Sequence, residues 1–185
     1  MAKIIKFNEI KTKEIIKEIK KGSIFIYPTD TIYGLGCNAL KKESVQKIRN
    51  IKKSNKPFSV IVPNKQWVYK NLKVNNKDYI KKLPGPYTFI FKRKKKVIPK
   101  EVTTGLKTLG IRIPNHPFTN IIKSAKVPFI TTSVNITKKR YLREIKKIPR
   151  NIAKQVDFII DAGPLIKHPS TIIDLTDNIA KIIKR

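Results

Sequence analysis

Short runs of β-branched and aromatic residues recur along this chain, SIFIY, FSVIV, YTFIF, LGIRI, PFITTS, FIIDAG and TIIDL, and nearly all stop at a proline, a glycine or a group of hydroxyl and carboxylate side chains. Runs of five or six residues suit strands and are too short for helices, so the pattern demands a sheet of many short strands. KIIKF and AKIIK extend it as candidate edge strands. Helical spacing appears in three places. Ile10, Ile15, Ile16 and Ile19 mark one side of a helix capped by Asn8 and ended by Gly22; Val45, Ile48 and Ile51 mark the inner side of a helix from Ser44, its cap, to Lys53; and Pro117 opens a helix reaching Lys126. The stretch 63–83 reads as loop with a short helix carrying Trp67 and Leu72, and the basic stretch 138–150 reads as a mobile loop outside the core. Strands outnumber helices, and the two alternate only in the first half. The expected architecture is a single α/β domain spanning 1–185, a twisted mixed sheet with flanking helices, rather than a regular doubly wound fold.

Composition narrows the function. One cysteine, Cys37, and two histidines, His116 and His168, exclude an intramolecular disulfide and the usual structural zinc sites, so a metal site is not expected. No apolar run approaches a membrane span and no secretory signal opens the chain, so a soluble, cytoplasmic protein with no membrane partner is expected. The formal charge is +30, from 42 basic and 12 acidic residues. Such a field draws polyanions, nucleotides and nucleic acid. Yet 35 of the 42 are lysine and only seven arginine, beside 32 isoleucines, a pairing that genome composition or adaptation to heat also produces. The runs KRKKK and KKRYLR support an RNA-binding alternative for double-stranded RNA or tRNA, although no RNA-binding motif accompanies them. Neither G-x-G-x-x-G nor G-x-x-x-x-G-K-[ST] is present.

Polar residues gather just past strand ends. PTDTIYGLG follows SIFIY and offers Thr29, Asp30, Thr31 and Tyr33 with two glycines, a set suited to a ligand and also to a self-capping turn. In IKKSNKPF, Lys52, Lys53 and Lys56 stand at or beyond a helix end, where lysines also serve as dipole partners. Lys52 follows Ile51 on the helix, so its stem borders the apolar face while its ammonium reaches past the helix end, outside the core. Thr131, Thr132, Ser133 and Asn135 end PFITTS with donors suited to nucleotide oxygens. Ser170 and Thr171 precede TIIDL, where they also suit loop backbone. His168 reads as a surface loop residue and Cys37 as a small buried side chain. Four such groups without an acid–base pair point to chemistry by positioning and charge neutralisation, as in phosphoryl or nucleotidyl transfer.

Taken in order, PTDTIYGLGCNA, KKSNKPFSVIV, LPGPYTFIF, LGIRIPNHP, TTSVN and PSTIID resemble the successive motifs of the YrdC/Sua5 family from about Gly22 to Asp174. The resemblance implies the YrdC-like (DHBP synthase-like) fold with a basic concave groove. It implies synthesis of threonylcarbamoyl-adenylate from L-threonine, bicarbonate and ATP, with Mg²⁺ accompanying the nucleotide and pyrophosphate released. The product supplies the threonylcarbamoyl group for adenosine 37 of tRNA, so tRNA and the threonylcarbamoyl transferase machinery are implied partners. Carried over residue by residue, Thr31 and Tyr33 fall in the threonine pocket, with Lys56 and Thr132 beside threonine and bicarbonate. Lys52, Ser133, Asn135, Ser170 and Thr171 fall near ATP, and Lys52 and Arg112 are the expected catalytic residues.

This chain departs from the family pattern in two places. The arginine of the K-x-R signature is Ser54, so its charge is either missing or supplied by Lys53 or Lys56, and the S-x-N motif continues as Ile136-Thr137-Lys138. The implied route takes the threonine amine to a carbamate, whose carboxylate attacks the α-phosphorus of ATP. Bringing these anions together requires fixed cations.

Overall fold

The computed structural model describes residues 2–135 and 141–183. Its strands are β1 (Lys3–Lys6), β2 (Phe25–Tyr27), β3 (Gly34–Gly36), β4 (Ser59–Ile61), β5 (Tyr87–Lys92), β6 (Thr108–Arg112), β7 (Phe129–Ser133), β8 (Phe158–Asp161), β9 (Thr171–Asp174) and β10 (Lys181–Ile183). The α-helices are α1 (Thr12–Lys21), α2 (Lys42–Lys52), α3 (Lys65–Asn71), α4 (Asp78–Lys81), α5 (Lys100–Thr103), α6 (Pro117–Ser124) and α7 (Arg150–Ala153). The strands form one mixed sheet in the order β1-β8-β2-β3-β7-β4-β6-β5-β9-β10. Parallel pairs (β1–β8, β2–β8, β4–β6, β5–β9) mingle with antiparallel ones, and the sheet twists as short mixed strands do.

Strand alternation sorts the core into two layers. Ile24 and Ile26, Val60 and Val62, Ile130 and Ile159 point to one face and pack with Val45, Ile48 and Ile51 of α2. Phe25 and Tyr27, Ile61, Phe129 and Ile160 point to the other and pack with Ile15 and Ile19 of α1 and Phe118 and Ile122 of α6. The central strands are therefore buried on both sides, which explains their almost continuous apolar runs.

Local signals were read correctly at some ends and not at others. Gly22 closes α1 in the left-handed region at φ 102°, its N–H donating to the carbonyls of Glu18 and Ile19. Asn8 is not the cap: residues 7–9 make a single 3₁₀ turn and the helix starts at Thr12 without a side-chain cap. Ser44 does not cap α2 either, since Lys41 occupies that position and Ser44 lies inside the first turn, its Oγ against Gly22. Leu72 follows α3 rather than lying on it.

The stretch 138–150 was expected outside the core, and its described part, 141–150, contradicts that. Leu142 is buried, Ile145 and Ile148 pack against the core, and the Leu142 carbonyl accepts from the Tyr33 amide at 3.2 Å. Its apolar residues were masked in the sequence by the surrounding lysines. Lys138, Lys139 and Arg140, like the Ile136-Thr137-Lys138 departure, lie outside the described residues.

Strand β3 had no β-branched signature. Its glycines exist for close approach: a Cβ on Gly36 would sit 2.0 Å from the Ile130 carbonyl oxygen, and one on Gly34 would meet the Tyr27 ring at 2.8 Å.

Candidate functional site

The face carrying Phe129 and Ile61 turns polar toward one end of the sheet. Continuing the same alternation, Thr131 and Ser133 follow Phe129 on β7, Ser59 precedes Ile61 on β4, and Thr88 on β5 and Arg112 at the end of β6 join them. With Thr29, Ile32–Gly34, Thr132 and Ser170 they line an inner cavity of about 30 Å³. One water needs roughly 10–15 Å³ by the same measure, so the cavity holds only a few heavy atoms. Ser59, Thr131, Thr132 and Ser133 also line a wider groove of about 410 Å³, whose remaining wall includes Lys52, Ser54, Lys56, Phe58 and Asn135.

Lys52 reaches this groove from the other sheet face. It ends α2, whose apolar side lies in the first core layer, and its side chain passes the end of β7 with only 5% of the residue exposed. Its Nζ donates to the Ser133 carbonyl at 2.7 Å and to Asn135 Oδ1 at 2.5 Å, with Ser133 Oγ at 3.4 Å. Ser133 Oγ donates to the same Asn135 oxygen at 2.6 Å. One fixed positive charge thus sits at the junction of groove and cavity.

The loop after α2 is held by a residue the sequence reading did not single out. Arg49 Nε donates to the Glu101 carbonyl at 2.7 Å, and its Nη1 to the carbonyls of Ser54 and Lys56 at 2.9 and 3.0 Å. The guanidinium also lies 4.5 Å from the Phe58 ring centre. It is committed to backbone carbonyls and does not reach the groove; Lys56 lines the groove and Lys53 does not. The signal was an arginine four residues after Val45 and next to Ile48, on the apolar side of the helix, where a solvent-facing residue would more often be lysine in this chain.

Arg112 is buried beside Asp30. Its Nη2 donates to Asp30 Oδ1 at 2.5 Å and to Thr31 Oγ1 at 2.8 Å. Burial pulls the guanidinium below its ordinary pKa, and the Asp30 carboxylate opposes that shift. Thr29 Oγ1 donates to the Ile32 carbonyl at 2.7 Å and lies 3.0 Å from Thr31 Oγ1. Thr29 Oγ1 also accepts from the Thr31 and Ile32 amides at 3.1 and 3.3 Å, and Thr31 Oγ1 accepts from Arg112.

Tyr33 is fully buried, and its hydroxyl serves the chain: it donates to the Gly163 carbonyl at 2.7 Å and accepts from the Ala162 amide at 2.9 Å. Burial pushes its pKa up to about 12. Ser170, also buried, shares a hydroxyl–hydroxyl hydrogen bond of 2.8 Å with Thr88 and lines the inner cavity. Thr171 is exposed, and strand alternation sends its side chain away from the face that Ser170 and Ile172 share. Lys52, Lys56, Thr132, Ser133 and Asn135 therefore meet around the groove and Arg112, Tyr33 and Ser170 around the cavity. Thr31 lies behind Arg112 and Thr171 off to one side. Ser59 and Thr88 also line the cavity; each is the one small hydroxyl residue in its apolar run, FSVIV and YTFIF. His168 is exposed and Cys37 is buried, its thiol pushed up by burial, as expected of a surface residue and an inert thiol.

A hydroxyl-lined cavity with one buried guanidinium, opening beside a fixed ammonium, defines an α/β domain shaped to receive oxyanions. The sequence family described as "Telomere recombination" (Sua5_yciO_yrdC) matches residues 17–185, and the chain belongs to this Sua5/YciO/YrdC family. It is 41% identical over 186 residues to a putative threonylcarbamoyl-AMP synthase of Methanocaldococcus jannaschii, a match covering 95% of this chain and 87% of that one. The solved structure of Pyrococcus abyssi Sua5 complexed with L-threonine is similar with a TM-score of 0.88 at 25% identity, covering all of this chain and 57% of that chain. Escherichia coli YciO is similar with a TM-score of 0.88 at 27% identity, covering all of this chain and 96% of the other. The fold expected from the motifs is borne out. Among the described residues no helix is long and apolar enough to cross a membrane.

Proposed function

We propose that this chain is a threonylcarbamoyl-AMP synthase, a nucleotidyltransferase that joins L-threonine, bicarbonate and ATP and releases pyrophosphate and water. The observation that carries the reading is Lys52, buried and held by Ser133 and Asn135 where the groove meets the Arg112 cavity. The similarity to a synthase of M. jannaschii and to a threonine-bound Sua5 supports it. ATP takes the wider groove, which is large enough for a nucleotide, with Lys52, Lys56, Ser133 and Asn135 around its phosphates. Threonine and the one-carbon substrate lie toward the cavity, beside Thr132 and Arg112. Fixed cations offset the mutual repulsion of carboxylate, carbamate and triphosphate, so the carbamate oxygen meets the α-phosphorus without a general base.

Among the described residues no group of three or more histidine, cysteine, aspartate or glutamate side chains is placed to hold a metal, and Asp30 is engaged with Arg112. The chain does not fit a resident Mg²⁺; the ion enters as part of the nucleotide substrate. A lone buried thiol suits a cytoplasmic setting, and tRNA with its threonylcarbamoyl transferase is the outlet for an activated carbamoyl-adenylate. Calorimetry with threonine and a non-hydrolysable ATP analogue tests the shared site. Each ligand is expected to strengthen binding of the other, and failure of both to bind at millimolar concentration overturns the reading in favour of RNA binding.

A further inference from the structure

Asp30 sits in the loop after β2, and its side chain is 6% exposed, opposite a guanidinium 7% exposed. A buried arginine at a strand end has two stable fates: it is held by an acceptor, or it turns toward water. Here both hydrogens of one terminal nitrogen are taken, by Asp30 Oδ1 and by Thr31 Oγ1. Thr29 holds the second acceptor in place: its Oγ1 lies 3.0 Å from Thr31 Oγ1, accepts from the Thr31 amide at 3.1 Å and donates to the Ile32 carbonyl at 2.7 Å. Thr31 does not line the cavity, whereas Arg112 does. Loop and strand thus meet through the guanidinium, and Asp30 and Thr31 act on the cavity from behind it, while Thr29 lines it.

We propose that Asp30 is a positioning residue for Arg112, with Thr31 as its second brace. This rests on the synthase reading above for its kinetic consequence only. The carboxylate holds one edge of the guanidinium so that the rest of the group is presented to an oxyanion in the cavity, and its charge keeps a buried cation from being expelled. Oδ2 of Asp30 and Nε of Arg112 have no hydrogen-bond partner among the described residues, so the brace is a single-point contact and sensitive to loss of charge.

The test uses Asp30→Asn, which keeps shape, and Arg112→Gln, singly and together. Threonine-dependent pyrophosphate release should fall at least tenfold in kcat/KM for threonine in Asp30→Asn, the scale of one charge-assisted hydrogen bond, with KM for ATP changed less than twofold. In the Arg112→Gln background the Asp30 substitution should add less than twofold. A second readout needs no turnover: ¹⁵N spectra of the arginine side chains should show restrained guanidinium signals for Arg112 that Asp30→Asn averages. Equal losses from Asp30→Asn with and without Arg112, or an unchanged Arg112 spectrum, overturn the inference. An unaltered protein that releases no pyrophosphate overturns the synthase reading instead, and the spectra still decide whether Asp30 holds Arg112.

Discussion

Lys52→Ala separates the site from the charged surface around it. The ammonium donates to the Ser133 carbonyl and Asn135 Oδ1 at 2.7 and 2.5 Å. Hydrogen bonds to a charged group contribute about 1.5–3 kcal/mol, and because Ser133 and Asn135 are half-buried, water from the groove replaces part of what is lost. A cost of about 2 kcal/mol follows, or about 4–8 °C in Tm at 2–4 °C per kcal/mol for a chain of this size. The sequence placed this ammonium outside the core and implied no change in Tm; burial of the side chain corrects that expectation. The rate should fall further, since removing one preorganised charge from a transition state costs about 3 kcal/mol, or roughly 100-fold in kcat/KM. Lys52→Met keeps the stem, so it should recover part of the Tm and none of the rate. Lys94→Ala is the control: Lys94 is exposed, with Nζ 2.7 Å from the Tyr69 carbonyl, and its loss should change the rate less than twofold. Pyrophosphate release and thermal melts of the three variants are the assay. Small, equal effects on rate from Lys52→Ala and Lys94→Ala would refute the placement of the cationic site.

Arg49→Met removes four charge-assisted hydrogen bonds, to the carbonyls of Glu101, Ser54, Lys56 and Val102, and a cation–ring contact, so Tm should fall by about 6–12 °C for a cost of about 3 kcal/mol. ATP-analogue binding should weaken too, because the Ser54–Lys56 loop loses its anchor; calorimetry showing unchanged affinity would contradict that role. His116 caps α6 through Nδ1, which accepts from the Phe118 amide at 3.1 Å, and its ring meets Phe7 edge-on. Burial lowers its pKa and the Asp30 charge only partly opposes this. The unfolded chain therefore binds the proton more readily, so this contribution to stability is present above about pH 6.5 and is lost as pH falls through the lower folded value. His116→Asn keeps a capping side chain without the titration, and its Tm relative to the unaltered protein should rise between pH 7.5 and 5; parallel melting curves would refute the assignment.

The strands were legible because β2, β4 and β8 are buried on both faces and so had to be apolar throughout. Strand β3 was not, since Gly34 and Gly36 answer to the Tyr27 ring and the Ile130 carbonyl, contacts made only after distant strands pair. Helix starts at Asn8 and Ser44 failed for a related reason: good capping residues stood near a turn and a packed glycine that used the space otherwise. At the site, Lys52, Ser133 and Asn135 were legible as types, but their convergence came from a helix on one sheet face reaching around β7 to the other. Tyr33 and Thr31 show the limit most clearly. Their motif pointed to a ligand, while their hydroxyls bond Gly163 and Arg112, partners 130 and 81 positions away.

The most direct measurement supplies the protein with ATP, ¹³C-bicarbonate and one amino acid, and follows pyrophosphate alongside the mass of any adenylate formed. The account predicts pyrophosphate with threonine, little with serine and none without an amino acid, matched one to one by an adenylate carrying both threonine and the labelled carbon. Pyrophosphate independent of threonine, or threonine-dependent release with no labelled adenylate, would contradict it.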